Sequence, residues 1–262
     1  GAKAFWSNTT GFSSVAIGDS ALYSNKGGTT NTAVGELSIQ KMTGGNFNVA
    51  VGSWTLKNAG VVSNNTAVGH SALSTLTFGS NNTALGYAAD VTAGNLTNAT
   101  AIGYNAKVNA SNKVRIGNAS VTKIEGQVAF TTPSDGRYKF NVREDVAGLN
   151  FVMRLRPVTY QFDVKRFDGV DENISFASYD KAQALRRTGF IAQEVEAAAN
   201  ASGYEFNGVN KPDTEDEYYT LSYESFVVPL VKAVQEQQRI ITKQQAEIDE
   251  LKALVRELLK KE

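Results

Sequence analysis

The sequence predicts a mainly β, parallel β-roll or solenoid, followed by a small α+β domain and a long C-terminal coiled-coil helix. Glycine recurs with a strict 17-residue period at positions 18, 35, 52, 69, 86 and 103. The composition then changes: residues 1–126 hold 17 of the 23 glycines and 12 charged side chains, whereas residues 127–262 hold 40 charged side chains. An uninterrupted heptad pattern covers the chain from Val227 onward.

The N-terminal repeat consists of a short, mostly apolar motif and a glycine at the corner of the coil, as in Thr32-Ala33-Val34 before Gly35. A fixed period of this kind is typical of a solenoid, in which each repeat forms one coil that stacks on the next. The alternation predicts a short strand with alanine pointing inward, and glycine turns the corner where a Cβ would collide or φ is positive. We expect neighbouring coils to lie about 4.8 Å apart.

Two further columns follow the same period. Asparagine stands four residues before the glycine, where it suits a turn that bonds its own backbone; these residues are Asn31, Asn48, Asn65 and Asn82. An apolar residue stands four residues after the glycine in the early coils, at Phe5, Leu22, Ile39, Leu56 and Leu73. We expect this second stripe to pack against a neighbouring subunit, the alternative being a core stripe within one chain.

The array ends near Asn112 to Gly117, where the spacing falls from 17 to 14 residues. We assign residues 1–117 to the solenoid and 118–133 to a connector, in which residues 121–130 predict a strand. Gly1 is in register with the repeat, so we expect the array to continue upstream.

Residues 134–222 predict a compact α+β domain. Helical spacing of apolar residues from Val146 to Met153 stops at Pro157, and the alternation at 158–164 predicts a strand. A short helix is expected over residues 191–201.

The last segment, residues 223–262, predicts a coiled-coil helix. β-Branched residues at one core position, with leucine at the other, favour two strands by packing preference. Gln237 and Gln244 weaken that preference, because buried amides set register and oligomeric state. The heptads therefore indicate self-association more firmly than the number of strands. The residues expected to hold the copies together are Val234, Ile241, Ile248, Leu251, Val255 and Leu258.

Both halves of the chain resemble known families. The Val/Thr-Ala-Ile/Val-Gly coils resemble the head repeats of trimeric autotransporter adhesins, which implies a trimeric β-roll. Residues 134–262 resemble the C-terminal intramolecular chaperone and auto-processing domain of phage tailspikes, tail fibres and endosialidases. The words that carry this second resemblance are Ser134-Asp135-Gly136-Arg137-Tyr138-Lys139, Leu155-Arg156-Pro157-Val158-Thr159-Tyr160, Gly189-Phe190-Ile191-Ala192-Gln193-Glu194-Val195 and Val231-Lys232-Ala233-Val234-Gln235-Glu236-Gln237.

The second resemblance implies a function for the C-terminal half. Such domains trimerise the nascent chains, template a β-rich stalk and then cut themselves off by a serine–lysine reaction. Carried over by position, Ser134 is the nucleophile, Lys139 is the base, and the bond cut is Pro133–Ser134. The chain would then be a single-turnover autoproteolytic endopeptidase with no external substrate.

The chemistry places two demands on this pair. A lysine serves as a base only if burial lowers its pKa from about 10.4 towards neutrality. Five residues apart, the side chains of Ser134 and Lys139 diverge on a strand and on a helix, so the chain must turn between them. Asp135-Gly136 suits such a turn; Asp135 either orients Lys139 or holds the turn.

The composition excludes several other function classes. The chain has no cysteine, one histidine (His70) and a net charge of zero without a basic run, so we expect no Cys-His chemistry and no nucleic-acid partner. We expect no cofactor, no metal site and no membrane insertion, and we interpret the acidic run at 213–217 as a solvated loop. The expected partner is the chain itself, as a homotrimer, with a host-surface or extracellular glycan or protein receptor for the head.

Three functions remain open. The first is the end of a trimeric surface or tail fibre with its chaperone, located on a virion or a bacterial surface. The second is a bacterial adhesin that retains its C-terminal domain as a structural or binding tip. The third, a glycan-degrading spike, needs convergent carboxylates, and the array offers only Asp19, Glu36, Asp90 and Glu125. Turn aromatics such as Trp6, Tyr23 and Trp54 either bind sugars or pack at subunit contacts; packing is favoured.

Overall fold

The structure is a computed structural model that describes residues 1–171, 176–215 and 217–260. The chain divides into two compact units. One unit consists of Gly1–Glu125 and Gln161–Leu185, and the other consists of Gly126–Tyr160 and Arg186–Glu262. Residues 161–185 therefore group with the N-terminal repeats rather than with the rest of the region 134–222.

The repeats of the first unit form the expected β-solenoid. Seven strands make one parallel sheet in the order β1-β2-β3-β4-β5-β7-β9, and β6 and β8 form a second, short parallel pair. Each strand pairs with its counterpart one coil further on, so that Ala33 lies beside Ala50. The strands are β1 (Val15–Ile17), β2 (Thr32–Val34), β3 (Val49–Val51), β4 (Thr66–Val68), β5 (Thr83–Leu85), β6 (Asp90–Val91), β7 (Thr100–Ile102), β8 (Lys107–Val108) and β9 (Val114–Ile116).

The corner glycines and inward alanines of the repeat are confirmed. The central alanines of β2, β3, β4, β5 and β7 are fully buried. At the corner, Gly69 has a φ of 126°, and a Cβ built there would lie 2.4 Å from the carbonyl oxygen of Gly86 in the next coil. Only glycine fits this close approach of two backbones.

The second apolar stripe does not face a neighbouring subunit, and this expectation was wrong. Leu22, Ile39, Leu56 and Leu73 are fully buried in the core of their own solenoid, beside Met42 and Leu76. Leu22 adopts a left-handed φ of 51°, a conformation that costs roughly 1–2 kcal/mol for a residue with a Cβ. Burying a leucine side chain contributes about 1.5–3 kcal/mol, which is enough to offset that strain.

The asparagine column bonds mainly between coils. The side-chain amide of Asn48 donates to Asn31 Oδ1 at 2.9 Å, Asn65 donates to Asn48 at 3.1 Å, and Asn82 donates to Asn65 at 3.1 Å. The same Oδ1 atoms accept from the backbone amides of the following coil, as Asn65 Oδ1 does from Asn82 N. The column is thus a buried ladder along the solenoid, and the local turn bond that the sequence predicts is present at Asn65, whose Nδ2 also donates to the Ser63 carbonyl oxygen at 3.2 Å.

The C-terminal half contains short helices and strands before one long helix. The connector at 121–130 is exposed and forms no strand, contrary to the expectation, since no other strand pairs with it in the described chain. The helix expected from Val146 is limited to α1, whereas the helix expected at 191–201 is confirmed. The elements are α1 (Leu149–Val152), β10 (Val158–Gln161), α2 (Val164–Asp168), α3 (Ala177–Ala184), β11 (Arg186–Gly189), α4 (Ala192–Ala201), β12 (Val209–Asn210), β13 (Thr220–Leu221) and α5 (Val227–Leu258).

The strand predicted over 158–164 ends early, at Gln161. Asp163 caps α2 by accepting a hydrogen bond from the backbone amide of Arg166 at 3.1 Å. An aspartate at this position starts a helix, because its carboxylate satisfies an amide that has no partner within the helix. The chain therefore leaves the strand three residues before the sequence alternation stops.

The second unit has a small aromatic core. Phe151 of α1, Val195 of α4, Phe206 and Phe226 are buried together, and α5 begins directly after Phe226. β10 pairs with β11, and β12 pairs antiparallel with β13. The predicted α+β architecture followed by a long C-terminal helix is confirmed.

Candidate functional site

Ser134 and Lys139 lie at the two ends of a tight turn. Residues Gly136–Tyr138 form one turn of 3₁₀-helix, and Asp135 caps it by accepting from the backbone amide of Arg137 at 2.9 Å. Asp135 and Lys139, on either side of the turn, have extended backbone. The chain thus turns between Ser134 and Lys139, as it must if their side chains are to meet.

The turn brings the two side chains into contact. Lys139 Nζ donates a hydrogen bond to Ser134 Oγ at 2.7 Å. Both side chains are exposed, as is the whole stretch of residues 121–145 around them. The pair thus has the spacing of a nucleophile and its base, without the burial within this chain that a lysine base needs.

Asp135 engages Arg137 rather than Lys139. Arg137 Nε donates to Asp135 Oδ2 at 2.9 Å and Nη2 donates at 2.6 Å, and these hydrogen bonds hold the pKa of the Asp135 carboxyl below its ordinary value. Of the two roles that the sequence left open for Asp135, this geometry corresponds to holding the turn.

Two of the motifs are joined by an ion pair that the sequence did not predict. Arg156, two residues before β10, donates to Glu194 at the start of α4, with an Nε–Oε2 distance of 3.0 Å. The hydrogen bonds from Arg156 lower the pKa of Glu194. Both residues stand inside the quoted motifs, so their opposite charges were the available signal, but a separation of 38 residues hides the contact.

A second contact explains the glycine of the word Gly189-Phe190. The backbone amide of Phe190 donates to Tyr223 Oη at 3.0 Å. A Cβ at Gly189 would lie 2.1 Å from the same oxygen, so a side chain there would displace Tyr223. The ring of Phe190 also stacks on Phe226 with a centroid distance of 5.2 Å. These contacts fix the base of α5 against β11.

The heptad face of α5 is apolar and exposed in the single chain. The core residues predicted from the heptads are all exposed, namely Val234, Ile241, Ile248, Leu251, Val255 and Leu258. Water-exposed apolar stripes of this length mark an interaction surface. The helix therefore presents a face suited to another helix.

The solenoid sheet also presents an apolar column to its outside. The third residue of each strand lies next to its counterpart in the following coil. All seven are at least partly exposed and aliphatic, and they are Ile17, Val34, Val51, Val68, Leu85, Ile102 and Ile116. This column is a second candidate surface for another copy of the chain.

Rings that follow the corner glycines pack against one another from coil to coil. His70 and Tyr87 stack at 5.4 Å between ring centroids, and Tyr87 and Tyr104 stack at 5.6 Å. Trp54 lies against His70, and Lys57 Nζ lies 4.4 Å from its ring centroid. These contacts lie within one chain, and Trp54, Tyr87 and Tyr104 remain exposed, so both sugar binding and packing at subunit contacts stay open for Trp54.

Two of the acidic residues of the array, Asp90 and Glu125, have partners within the chain. Asp90 is buried and accepts from Thr75 Oγ1 at 2.9 Å and Ser74 Oγ at 3.1 Å, with Lys107 Nζ 3.7 Å away. Glu125 forms an exposed pair with Lys123. The acidic run at 213–217 includes Asp216, which lies outside the described residues.

Over 1–171, 176–215 and 217–260, no group of three or more His, Asp or Glu side chains is placed to hold a metal ion. Within the same ranges, none of the helices combines the length and the apolar character that crossing a membrane requires.

Comparison with known proteins gives one match. Residues 134–204 match the peptidase S74 family, described as the chaperone of endosialidase. The match begins at Ser134 and includes Lys139, Arg156 and Glu194, and it supports an intramolecular chaperone role for this part of the chain. Searches of the curated proteins and of the solved structures gave no match.

Proposed function

We propose that this chain is the end of a trimeric surface or tail fibre whose C-terminal half acts as an intramolecular chaperone and cuts itself off at Pro133–Ser134. The observation that carries the proposal is the 2.7 Å contact between Lys139 Nζ and Ser134 Oγ. It stands at the first residue of the region that matches the chaperone family.

The reaction follows from the position of the serine next to the bond. Ser134 Oγ attacks the carbonyl carbon of Pro133 while the neutral Lys139 amine takes the hydroxyl proton. The C–N bond breaks, Lys139 returns the proton to the Ser134 nitrogen, and an ester joins Pro133 to Ser134 Oγ. Water then hydrolyses the ester, which leaves a carboxylate on Pro133 and a free amine on Ser134.

Assembly supplies what the single chain lacks. Lys139 acts as a base only in surroundings that disfavour its charged form, and in one chain the turn is open to solvent. Packing of several copies around the connector excludes water from the pair. Cleavage is then coupled to assembly, and each chain reacts once.

Self-association has two surfaces available. The heptad face of α5 gathers the chains first, which raises their effective concentration to about millimolar. The aliphatic column of the solenoid sheet then pairs with its counterparts in the other copies. The match to the chaperone family and the resemblance of the coils to adhesin heads both favour three copies over two.

The need for such a helper follows from the folding of a β-rod. Contacts between chains are non-local, so they form slowly and expose unpaired strand edges in the meantime. A coiled coil that holds the chains together shortens this stage. Removing the helper afterwards leaves a rod that cannot retrace its folding path and is kinetically stable.

The test is the intact mass of freshly purified protein beside Ser134→Ala and Lys139→Ala. We expect two fragments that meet between Pro133 and Ser134 in the wild-type protein and one full-length mass in both variants. Lys123→Ala, which removes an exposed lysine from the same connector, is the matched control and should still be cut. One full-length mass in all four proteins would favour the adhesin that keeps its C-terminal domain.

A further inference from the structure

The last coil of the solenoid leaves one strand edge to be covered. β9 (Val114–Ile116) pairs with β7 and is the outermost strand of the seven-stranded sheet. An open edge of this kind recruits other chains, and solenoids close their ends with a capping element. The segment after β9 continues into the exposed connector, which contributes no strand that pairs with β9 in the described chain.

The described residues of the segment 161–185, which are 161–171 and 176–185, pack against the end of the solenoid. They share a compact unit with Gly1–Glu125 and contribute the short helices α2 and α3. Val164, Tyr179 and Ala182 form a small buried cluster, against which Ala119 from the end of the solenoid packs. The segment therefore shares an apolar core with the residues that follow β9.

Asp168 makes the polar part of this contact. Its Oδ2 accepts from the backbone amide of Ala119 at 2.6 Å and from Tyr179 Oη at 2.8 Å. Its Oδ1 lies 3.6 Å from Arg115 Nη2, and the two side chains are only 5% and 18% exposed. A buried carboxylate is stable only with hydrogen-bonding or charged partners. Ala119, Tyr179 and Arg115 supply these partners to Asp168.

Other groups of the last coils complete the arrangement. Arg115 of β9 donates from Nε to the carbonyl oxygen of Gly117 at 2.9 Å, and its guanidinium lies 5.2 Å from the ring centroid of Phe167. Tyr179 also hydrogen-bonds Asn105, from the corner before β8, and burial together with the bond to Asp168 raises its pKa. Side chains of two successive coils thus hold the segment.

We propose that residues 161–185 are the C-terminal cap of the solenoid and that Asp168 holds residues 134–262 on the solenoid even after the connector is broken. The cap lies on the C-terminal side of Pro133–Ser134, whereas the strand edge that it serves lies on the N-terminal side. A cut between them separates the covalent chain but leaves this contact in place. The C-terminal half is then retained, and its release requires the cap to open.

This inference rests on the proposed function only for the natural cut, and its test does not use that cut. The full chain carries Ser134→Ala, to prevent self-cleavage, and a recognition sequence for a site-specific protease inserted between Gly126 and Gln127, both exposed. After digestion, size-exclusion chromatography under native conditions separates free fragments from bound ones. We expect the two fragments to elute together. Separate elution overturns the proposal.

Substitutions then identify the contact that retains the fragment. In the same background, Asp168→Asn should speed dissociation of the C-terminal fragment by at least about tenfold, because it removes the carboxylate charge that faces the partly buried Arg115. Tyr179→Phe removes one hydroxyl without a charge and should have a smaller effect in the same direction, which keeps the test valid if Asp168→Asn misfolds. Glu125→Gln removes an exposed carboxylate and should change nothing. Equal retention in every variant would contradict the role of Asp168.

Discussion

The carboxylate of Glu236 accepts a hydrogen bond from the backbone amide of Leu149 at 2.8 Å, across 87 residues of sequence. Leu149 is the first residue of α1, whose amides have no partner within the helix. The same carboxylate explains the preceding glycine, since a Cβ at Gly148 would lie 2.4 Å from Glu236 Oε2. The contact ties the long helix α5 to the core of its own unit.

The position of Glu236 also separates two faces of α5. Pro229 and Ala233 are buried, and with Glu236 they are spaced three or four residues apart, so the three lie on one side of the helix. The heptad residues such as Val234 and Ile241 lie on another side and are exposed. One helix can therefore remain attached to its unit while it binds other copies.

Glu236→Ala should lower the free energy of unfolding of the second unit by about 1.5–3 kcal/mol, the usual range for a hydrogen bond to a charged group. Glu236→Gln keeps an acceptor oxygen and should lose less. Urea unfolding measures the change, and hydrogen exchange at the Leu149 amide reports it locally. Glu250→Ala, on the exposed part of α5, is the control. Unchanged exchange at Leu149 in Glu236→Ala would argue against the contact.

Ile248→Asp should abolish or strongly weaken self-association, because it places a charge at a heptad core position. Ala246→Asp adds the same charge at an outward heptad position of the same turn and should leave association intact. Sedimentation equilibrium of the full chain gives the number of copies. A wild-type protein that sediments as a monomer would rule out the proposed assembly.

Gly69→Ala should destabilise the solenoid by at least about 1–3 kcal/mol, because alanine is strained at a φ of 126° and its Cβ meets the Gly86 carbonyl at 2.4 Å. Gly44→Ala is the matched control, since a Cβ there has no atom within 4 Å and its φ is not positive. It should be neutral or stabilising by up to about 1 kcal/mol. Thermal unfolding of the two variants measures the difference. Equal losses of stability would show that the close approach of the two backbones is not the reason for glycine at position 69.

Asn65→Ala should cost about 3 kcal/mol or more, because it removes the side-chain bonds to the buried backbone amide of Asn82 and the buried carbonyl oxygen of Gly79, each worth about 1–3 kcal/mol. Asn58→Ala is the comparison: its side chain bonds Lys41 Nζ and the Ser74 carbonyl at 2.8 Å each but is only partly buried. Water replaces those bonds, so we expect a loss below about 1 kcal/mol. Similar melting temperatures for the two variants would contradict a stabilising ladder.

Asp90→Asn should change the pH dependence of stability. Burial raises the pKa of the Asp90 carboxyl above its ordinary value, against the attraction of Lys107. The folded state then binds the proton more readily than the unfolded state, so this contribution to stability is present at low pH and lost as pH rises. Relative to wild type, the asparagine variant should gain stability as pH rises above the ordinary aspartate pKa of about 3.9. Urea midpoints at a series of pH values give the difference, which would stay constant if Asp90 did not titrate.

The sequence predicted the elements whose signal is local and periodic. The spacing of Gly18 to Gly103 gave the coil length, the strands and the shortened last step to β9, and the heptads from Val227 gave α5. Periodicity is reliable here because each repeat imposes the same backbone conformation on the next. The prediction of a strand at 121–130 was wrong because a strand needs a partner strand, and a local sequence pattern does not show whether one is available.

The candidate site was predicted in part. The resemblance identified Ser134 and Lys139, and the turn residues Asp135-Gly136 indicated how the two side chains could meet. The pairing of Arg156 with Glu194 went unnoticed, because nothing in the sequence near either residue depends on the other.

The sequence by itself thus determined the repeat, the corner glycines and the helix that presents Ile241 and Ile248. The tertiary structure alone decided that Leu22 and its counterparts point into their own core, that Asn65 bonds to the next coil, and that Asp168 joins residues 161–185 to the end of the solenoid. The physical reason is the range of the interactions. Backbone conformation is set by near neighbours, whereas burial and charge pairing depend on which distant segment the folded chain brings alongside.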